Sequence, residues 1–188
     1  MKPIASSFAA ACSVLLGACA SAPSPAPAQA VVAPAGSAPE AVANLAAASG
    51  SLVSGRLVLA PMGDGVHITG TIGGLTPGSQ HGFHIHETGD CSAMDASSAG
   101  GHFNPDAQPH GRAGHGAHHA GDADNLAADG NGVARVDVHL SGVSLGTGAA
   151  NDIAGRAIVV HVAPDDYRSQ PAGNAGARIA CGVIRVTR

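Results

Sequence analysis

The apolar positions of the chain fall in short runs broken by turn residues, which predicts many short strands rather than long helices. In "VARVDVHL" the alternation is strict: Val136, Val138 and Leu140 share one face of a strand, and Arg135, Asp137 and His139 share the other. His139 is therefore expected in solvent. Comparable runs at 41–48, 52–60, 66–72, 82–87, 156–162 and 179–186 join 133–140 as predicted strands, and a weaker one lies at 125–128. Between 88 and 124 no strand pattern survives. A structureless segment of that length inside a compact domain points to function. Short strands with frequent turns favour an all-β sandwich or barrel.

Composition sharpens this picture. The 188 residues suffice for one domain of ordinary size with a tail, and for a core that needs no metal or disulfide to exist. There is no Trp and one Tyr, and Phe83 and Phe103 are the only phenylalanines beyond the N-terminal segment. The core must be built from Val, Ile, Leu and Ala. The 27 glycines agree with many turns. A net charge of -4, with Lys2 as the sole lysine, leaves no basic run to neutralise phosphates and excludes nucleic acid as a partner.

The N-terminus reads as an export signal. Lys2 precedes "IASSFAAACSVLLGA", too short to span a bilayer but suited to a signal peptide over 1–18. The run ends in "LGAC", which resembles the bacterial lipobox whose cysteine, here Cys19, is lipidated. Ala18, Cys19 and Ala20 equally satisfy the small-x-small rule of ordinary cleavage, so both outcomes stand open. The following Pro/Ala/Ser-rich residues complete a tether over 19–40, leaving 41–188 as the domain. With Cys12 and Cys19 in or beside the signal, Cys91 and Cys181 remain. In an oxidising compartment two cysteines most simply pair.

Candidate chemistry is concentrated in histidines. In "HGFHIHE", His84 and His86 share one strand face, while Phe83 and Ile85 occupy the other. Alone, this pair fits a metal site or an edge strand with two solvated imidazoles. In "GGHFNPDAQPHGRAGHGAHHAGD", His102, His110, His119 and Asp122 are spaced by eight, nine and three. Three imidazoles and a carboxylate suit four-coordinate zinc of the structural kind, although His-rich tracts also occur as loose metal scavengers.

The motifs "GFHIHETGDC", "GGHFNPDAQPH", "HAGD", "GRAIVVH" and "GNAGARIACGVI" occur in this order, and together they resemble the copper/zinc superoxide dismutase family over about 41–188. The resemblance implies an eight-stranded antiparallel Greek-key β-barrel or sandwich with long metal-binding loops. It implies copper on His84, His86, His102 and His161, and zinc on His102, His110, His119 and Asp122. His102, shared by the two ions, would bridge as an imidazolate, since a neutral ring offers one free lone pair. Asp165 matches the carboxylate that links a copper histidine to a zinc histidine. Arg178 matches the active-site arginine that attracts and orients a small anion. The implied substrate is superoxide, converted to oxygen and hydrogen peroxide.

The remaining histidines divide by position. His81 matches a structural histidine of the family, held by a hydrogen bond at a turn. His67 is expected on a solvated strand face, and His115 and His118 stay unassigned, with only the "HAGD" spacing selecting His119 over His118. The loop from His161 to Arg178 lacks the lysines that help attract substrate in eukaryotic members. Arg168 either substitutes for them or pairs with Asp165 or Asp166. Two rival functions, a copper carrier and a His-rich metal buffer of the envelope, are disfavoured by a full copper ligand set beside Arg178. The scarcity of aromatic anchors leaves monomer and homodimer equally open. A membrane enters only through a lipid on Cys19, which would place the domain in the periplasm, on the outer membrane.

Overall fold

The computed structural model describes residues 38–188; the predicted signal peptide, Cys19 and all but the last three residues of the predicted tether lie outside the described residues. The alternating runs form strands β1 (Ala41–Ala47), β2 (Ser54–Met62), β3 (Gly65–Gly73), β4 (Gln80–His81), β5 (Phe83–His86), β6 (Leu126–Ala127), β7 (Ala134–Ser141), β8 (Ala157–His161) and β9 (Arg178–Val186). The only other element among the described residues is a 3-10 turn, Ser97–Ala99. Seven strands make one antiparallel sheet in the order β5-β8-β9-β1-β2-β3-β7. The chain leaves β3 near one edge for β5 at the other, returns to β7, then crosses again to β8. These crossovers are Greek-key connections.

The short β4–β6 ladder spans the gap between the sheet edges, because β4 runs on toward β5 and β6 lies against β7. Nine strands thus replace the expected eight. The extra one is the two-residue Gln80–His81, too short to display an alternation. It is separated from β5 at Gly82, whose N–H donates to the Ala163 carbonyl at 2.8 Å while its own carbonyl accepts from His161 N–H at 2.9 Å. A side chain at Gly82 would press on Ala175, His84 and His161, so the chain can turn into the site only without one.

The core is aliphatic, as the composition requires. Leu57, Leu59, Ile68, Ile72, Phe83, Ile85, Ile158 and Ile184 are fully buried inside the curled sheet. β8 is buried at every position. Ile158 and Val160 face this core, while Ala157 and Val159 pack outward against Ala48, Ala96, Ala99 and Cys181. That second layer is the start of the long 88–124 segment, folded back over β8 and β9 and pinned there by a Cys91–Cys181 disulfide with Cα atoms 5.7 Å apart. The expected pairing is therefore present.

Candidate metal centre

β5 carries Phe83 and Ile85 into the core and His84 and His86 outward, as alternation requires. Neither imidazole is solvated. His84 and His86 are covered by the 88–124 segment and by the loop after β8, and both are 1% exposed or less. His161 ends β8 on the neighbouring strand, and isolated bridges tie His86 to His102 and His84 to Asp122. The backbone of the long loop therefore continues the sheet just where ligands are needed.

Each imidazole is oriented through one nitrogen, which leaves the other aimed inward. His84 Nε2–H donates to Asp165 Oδ2 at 2.8 Å, His86 Nδ1–H to the Gly100 carbonyl at 2.9 Å, and His161 Nδ1–H to the Gly176 carbonyl at 3.1 Å. The free atoms, His84 Nδ1, His86 Nε2 and His161 Nε2, face the same space, with the two Nε2 atoms 3.4 Å apart. Burial pulls the imidazole of His84 down to about 4, that of His86 to about 2 and that of His161 to about 3, so all three are neutral lone-pair donors at neutral pH.

The second cluster is organised around Asp122. Its Oδ2 accepts backbone N–H bonds from Gly111 at 3.1 Å and His119 at 2.8 Å, which fixes the carboxylate. Its Oδ1 then faces three Nδ1 atoms, those of His102 at 2.8 Å, His110 at 3.1 Å and His119 at 3.4 Å. Burial works against the charged carboxylate, but hydrogen bonds from His102 and from the Gly111 and His119 amides outweigh it and hold the group below the usual range. His102 belongs to both clusters. Its Nδ1 faces Asp122, while Nε2 faces His84, whose ring centroid is 4.0 Å away, and has no protein partner.

The donor atoms of His84, His86, His102 and His161 lie within 4.8 Å of one another, and so do those of His102, His110, His119 and Asp122. Among the described residues, three buried nitrogens, His84 Nδ1, His102 Nε2 and His119 Nδ1, have no hydrogen-bond partner. Buried polar atoms without a partner are costly. Two cations would satisfy all three, the all-nitrogen site suiting copper and the mixed site zinc. Residues 53–184 match the family described as copper/zinc superoxide dismutase (SODC). The chain belongs to that family.

Two superoxide dismutases named Cu-Zn from Aquifex aeolicus (strain VF5) bear this out. Number 2 is 46% identical over 136 residues, covering 71% of this chain and 80% of the relative. Number 1 is 44% identical over 134 residues, covering 70% and 79%. Among solved structures, a double mutant of a SOD-like protein from Bacillus subtilis matches with a TM-score of 0.70 at 37% identity, covering 77% of this chain and 96% of that one.

Around this superoxide dismutase centre, Asp165 links the two clusters: Oδ2 meets His84, and Oδ1 meets His110 Nε2 at 3.0 Å. Arg178 is half-buried and held by two loop carbonyls, Ala96 and Gly100, each at 2.6 Å. Gly100 O thus accepts from both His86 and Arg178. His81 behaves as expected, donating through Nδ1 to the His161 carbonyl at 2.8 Å. His115 is exposed and His118 is half-buried against the His119 carbonyl at 2.7 Å, so neither joins a cluster. His67 pairs with Asp137 and the exposed His139 with Asp64. Arg168 is exposed and joins no ion pair among the described residues, only its backbone N–H reaching Asp166.

Sequence reading missed the groups that hold the loops together. The Asn125 side chain brackets the backbone of Asp165, accepting its N–H at 2.7 Å and donating to its carbonyl at 2.9 Å. Gln170 does the same to His110, accepting its N–H at 2.8 Å and donating to its carbonyl at 2.9 Å. These bonds are made to backbone atoms 40 and 60 residues away. No local pattern signals them.

Proposed function

We propose that the protein dismutes superoxide, with copper held by His84, His86, His102 and His161, and zinc by His102, His110, His119 and Asp122. The observation that carries this reading is His102, a single buried imidazole offering Nε2 to one cluster and Nδ1 to the other. Copper when bound supplies one-electron exchange, and zinc supplies a fixed positive charge behind the shared ring. The chain's residues do the rest. Arg178, its guanidinium fixed by two carbonyls, attracts and orients the anion. Asp165 fixes the ring planes of His84 and His110 together. His102 Nε2 is the atom where a proton can be held and passed on, because Nδ1 is committed to the zinc side. In balance, two superoxide ions and two protons give one oxygen and one hydrogen peroxide.

The test is metal content with a dismutation assay on the purified protein. One copper and one zinc per chain with high activity support the reading. Full metal loading without activity would favour a metal buffer or carrier instead. A carrier that passes copper on through exposed thiols is already disfavoured, since Cys91 and Cys181 are joined. We further propose an exported protein with a signal peptide over 1–18, a lipid on Cys19 and a tether over 19–40, directed to the outer membrane. The disulfide supports export to an oxidising compartment. Among the described residues no helix is long and apolar enough to cross a membrane.

A further inference from the structure

Beside His161 lies a cavity of about 310 Å³ whose wall is built by Ser169, Gln170, Pro171, Asn174 and Gly176 of the loop between β8 and β9. The loop meets the copper cluster at two points, the Gly176 carbonyl on His161 and the Asp165 carboxylate on His84. It is tied to the zinc cluster as well. Gln170 reaches across to His110 and pairs with it as a strand would, its side-chain amide meeting both the N–H and the C=O of that residue, and its Nε2 also donates to the Arg168 carbonyl at 3.2 Å. Three residues on, Gly173 passes so close that a Cβ there would overlap the Asp165 carboxylate, itself bonded to His110. Gly173 also holds a left-handed φ of 66° and bonds the backbones of Ser169 and Asp166.

We propose that Gln170 is a positioning residue that locks the wall of the cavity beside His161 to the zinc donor His110, so that loop and zinc pocket are ordered as one unit. The reason is geometric. His110 sits on a loop with no strand of its own, between Pro109 and Gly111, and its ring can meet Asp122 and Asp165 together only if its backbone is held. Gln170 holds it by both peptide groups. Conversely, a filled zinc pocket fixes His110 and through it the loop that walls the cavity beside His161. The Asn125 bracket on Asp165 completes the tie from the other side.

This rests on the zinc assignment above, and the experiment separates the two. The full-chain protein is prepared as wild type, Gln170→Leu, which loses both bonds, and Gln170→Glu, which keeps the acceptor for His110 N–H but has no donor for its carbonyl. Zinc affinity of the metal-free forms is measured by chelator competition. The visible spectrum of cobalt(II) loaded in place of zinc reports donor geometry, azide affinity of the copper-loaded forms reports the cavity, and melting of the metal-free forms reports general stability. The expected result is zinc affinity weakened about tenfold to a hundredfold in the Leu variant, a magnitude typical of groups that orient metal ligands. The Glu variant should fall between, with a shifted cobalt band and altered azide affinity in both. A Leu variant that matches wild type in zinc affinity and cobalt band overturns the proposal. So does a loss that appears only in metal-free melting, equal in both variants. A wild type that takes up no zinc at all sinks the zinc assignment, and the proposal with it.

Discussion

Arg178 shows how much a single residue depends on where its hydrogen bonds go. Among the described residues its guanidinium meets no carboxylate partner, and desolvation lowers its pKa while the more distant Asp95 pulls the other way. It still carries its charge at any ordinary pH, so an anion finds an oriented cation with donors to spare. Replacing Arg178 with Ala should lower kcat/KM about tenfold to a hundredfold, the worth of a charge-assisted hydrogen bond. Metal content should not change. Arg178→Lys should recover part of the loss, and a variant with full activity would remove the arginine from the reading. The two metal clusters allow a sharper comparison. His86→Ala should lose copper and activity while zinc stays bound, because His86 touches none of the zinc donors through hydrogen bonds. Asp122→Ala should lose zinc, since one oxygen faces all three imidazoles. Full zinc occupancy in that variant would overturn the ligand set and return His115 and His118 to candidacy.

At the scale of elements, the strands were legible because burial imposes a period of two, and the loops were legible only in their chemistry. β7 exposes Arg135, Asp137 and His139 and buries Val136 and Leu140, as its alternation requires. The candidate ligands stood out because imidazoles are rare in a core and here occur in a fixed order. What stayed hidden were bonds to backbone atoms, such as Arg178 to Gly100 or Gln170 to His110, which leave no trace in residue spacing. The 88–124 segment is held by such bonds and by one covalent link. Since Arg178 grips Ala96 and Gly100 in that segment, Cys181→Ser should both lower stability by about 2–4 kcal/mol, as loss of a long-loop disulfide does, and reduce activity. Denaturant melts and assays of the metal-loaded variant check this, and unchanged activity would separate the disulfide from Arg178. The β7–β8 connection depends instead on Asp152, whose Oδ1 accepts from the Gly146 and Ala154 amides and Oδ2 from Gly148. Burial raises its pKa, but these backbone bonds outweigh it and leave the group below its ordinary 3.8. Its contribution is therefore fully present above pH 3.8 and is lost as pH falls through the lower folded value. Asp152→Asn should be less stable than wild type at pH 7, with the difference shrinking toward pH 3 in urea midpoints. A difference that does not change with pH would rule out the carboxylate as the cause.

At the scale of the whole described domain, its first and last residues lie side by side. Glu40 accepts the Thr187 N–H through its carbonyl at 2.7 Å, donates to the Arg188 carbonyl at 3.2 Å and pairs with the Arg188 side chain, so the chain enters β1 beside the end of β9. Arg178, at the opposite end of β9, lies eight residues of strand from Val186, roughly 26 Å at about 3.3 Å per residue. The chain therefore enters the described domain at the end of β9 remote from Arg178. Lipid on Cys19 would give several acyl chains, a hold far stronger than the marginal one of a single chain. Ala20 follows the cysteine, and if the bacterial sorting rule applies, a lipidated protein with a residue other than Asp there would go to the outer membrane. Superoxide is an anion that crosses bilayers poorly, so a catalyst held in the envelope meets it on the side where it arrives. Wild type should fractionate with outer membrane and release only with detergent, while Cys19→Ser should remain uncleaved or appear soluble. A wild-type protein found wholly soluble and beginning at Ser21 would replace the lipid anchor with ordinary periplasmic export.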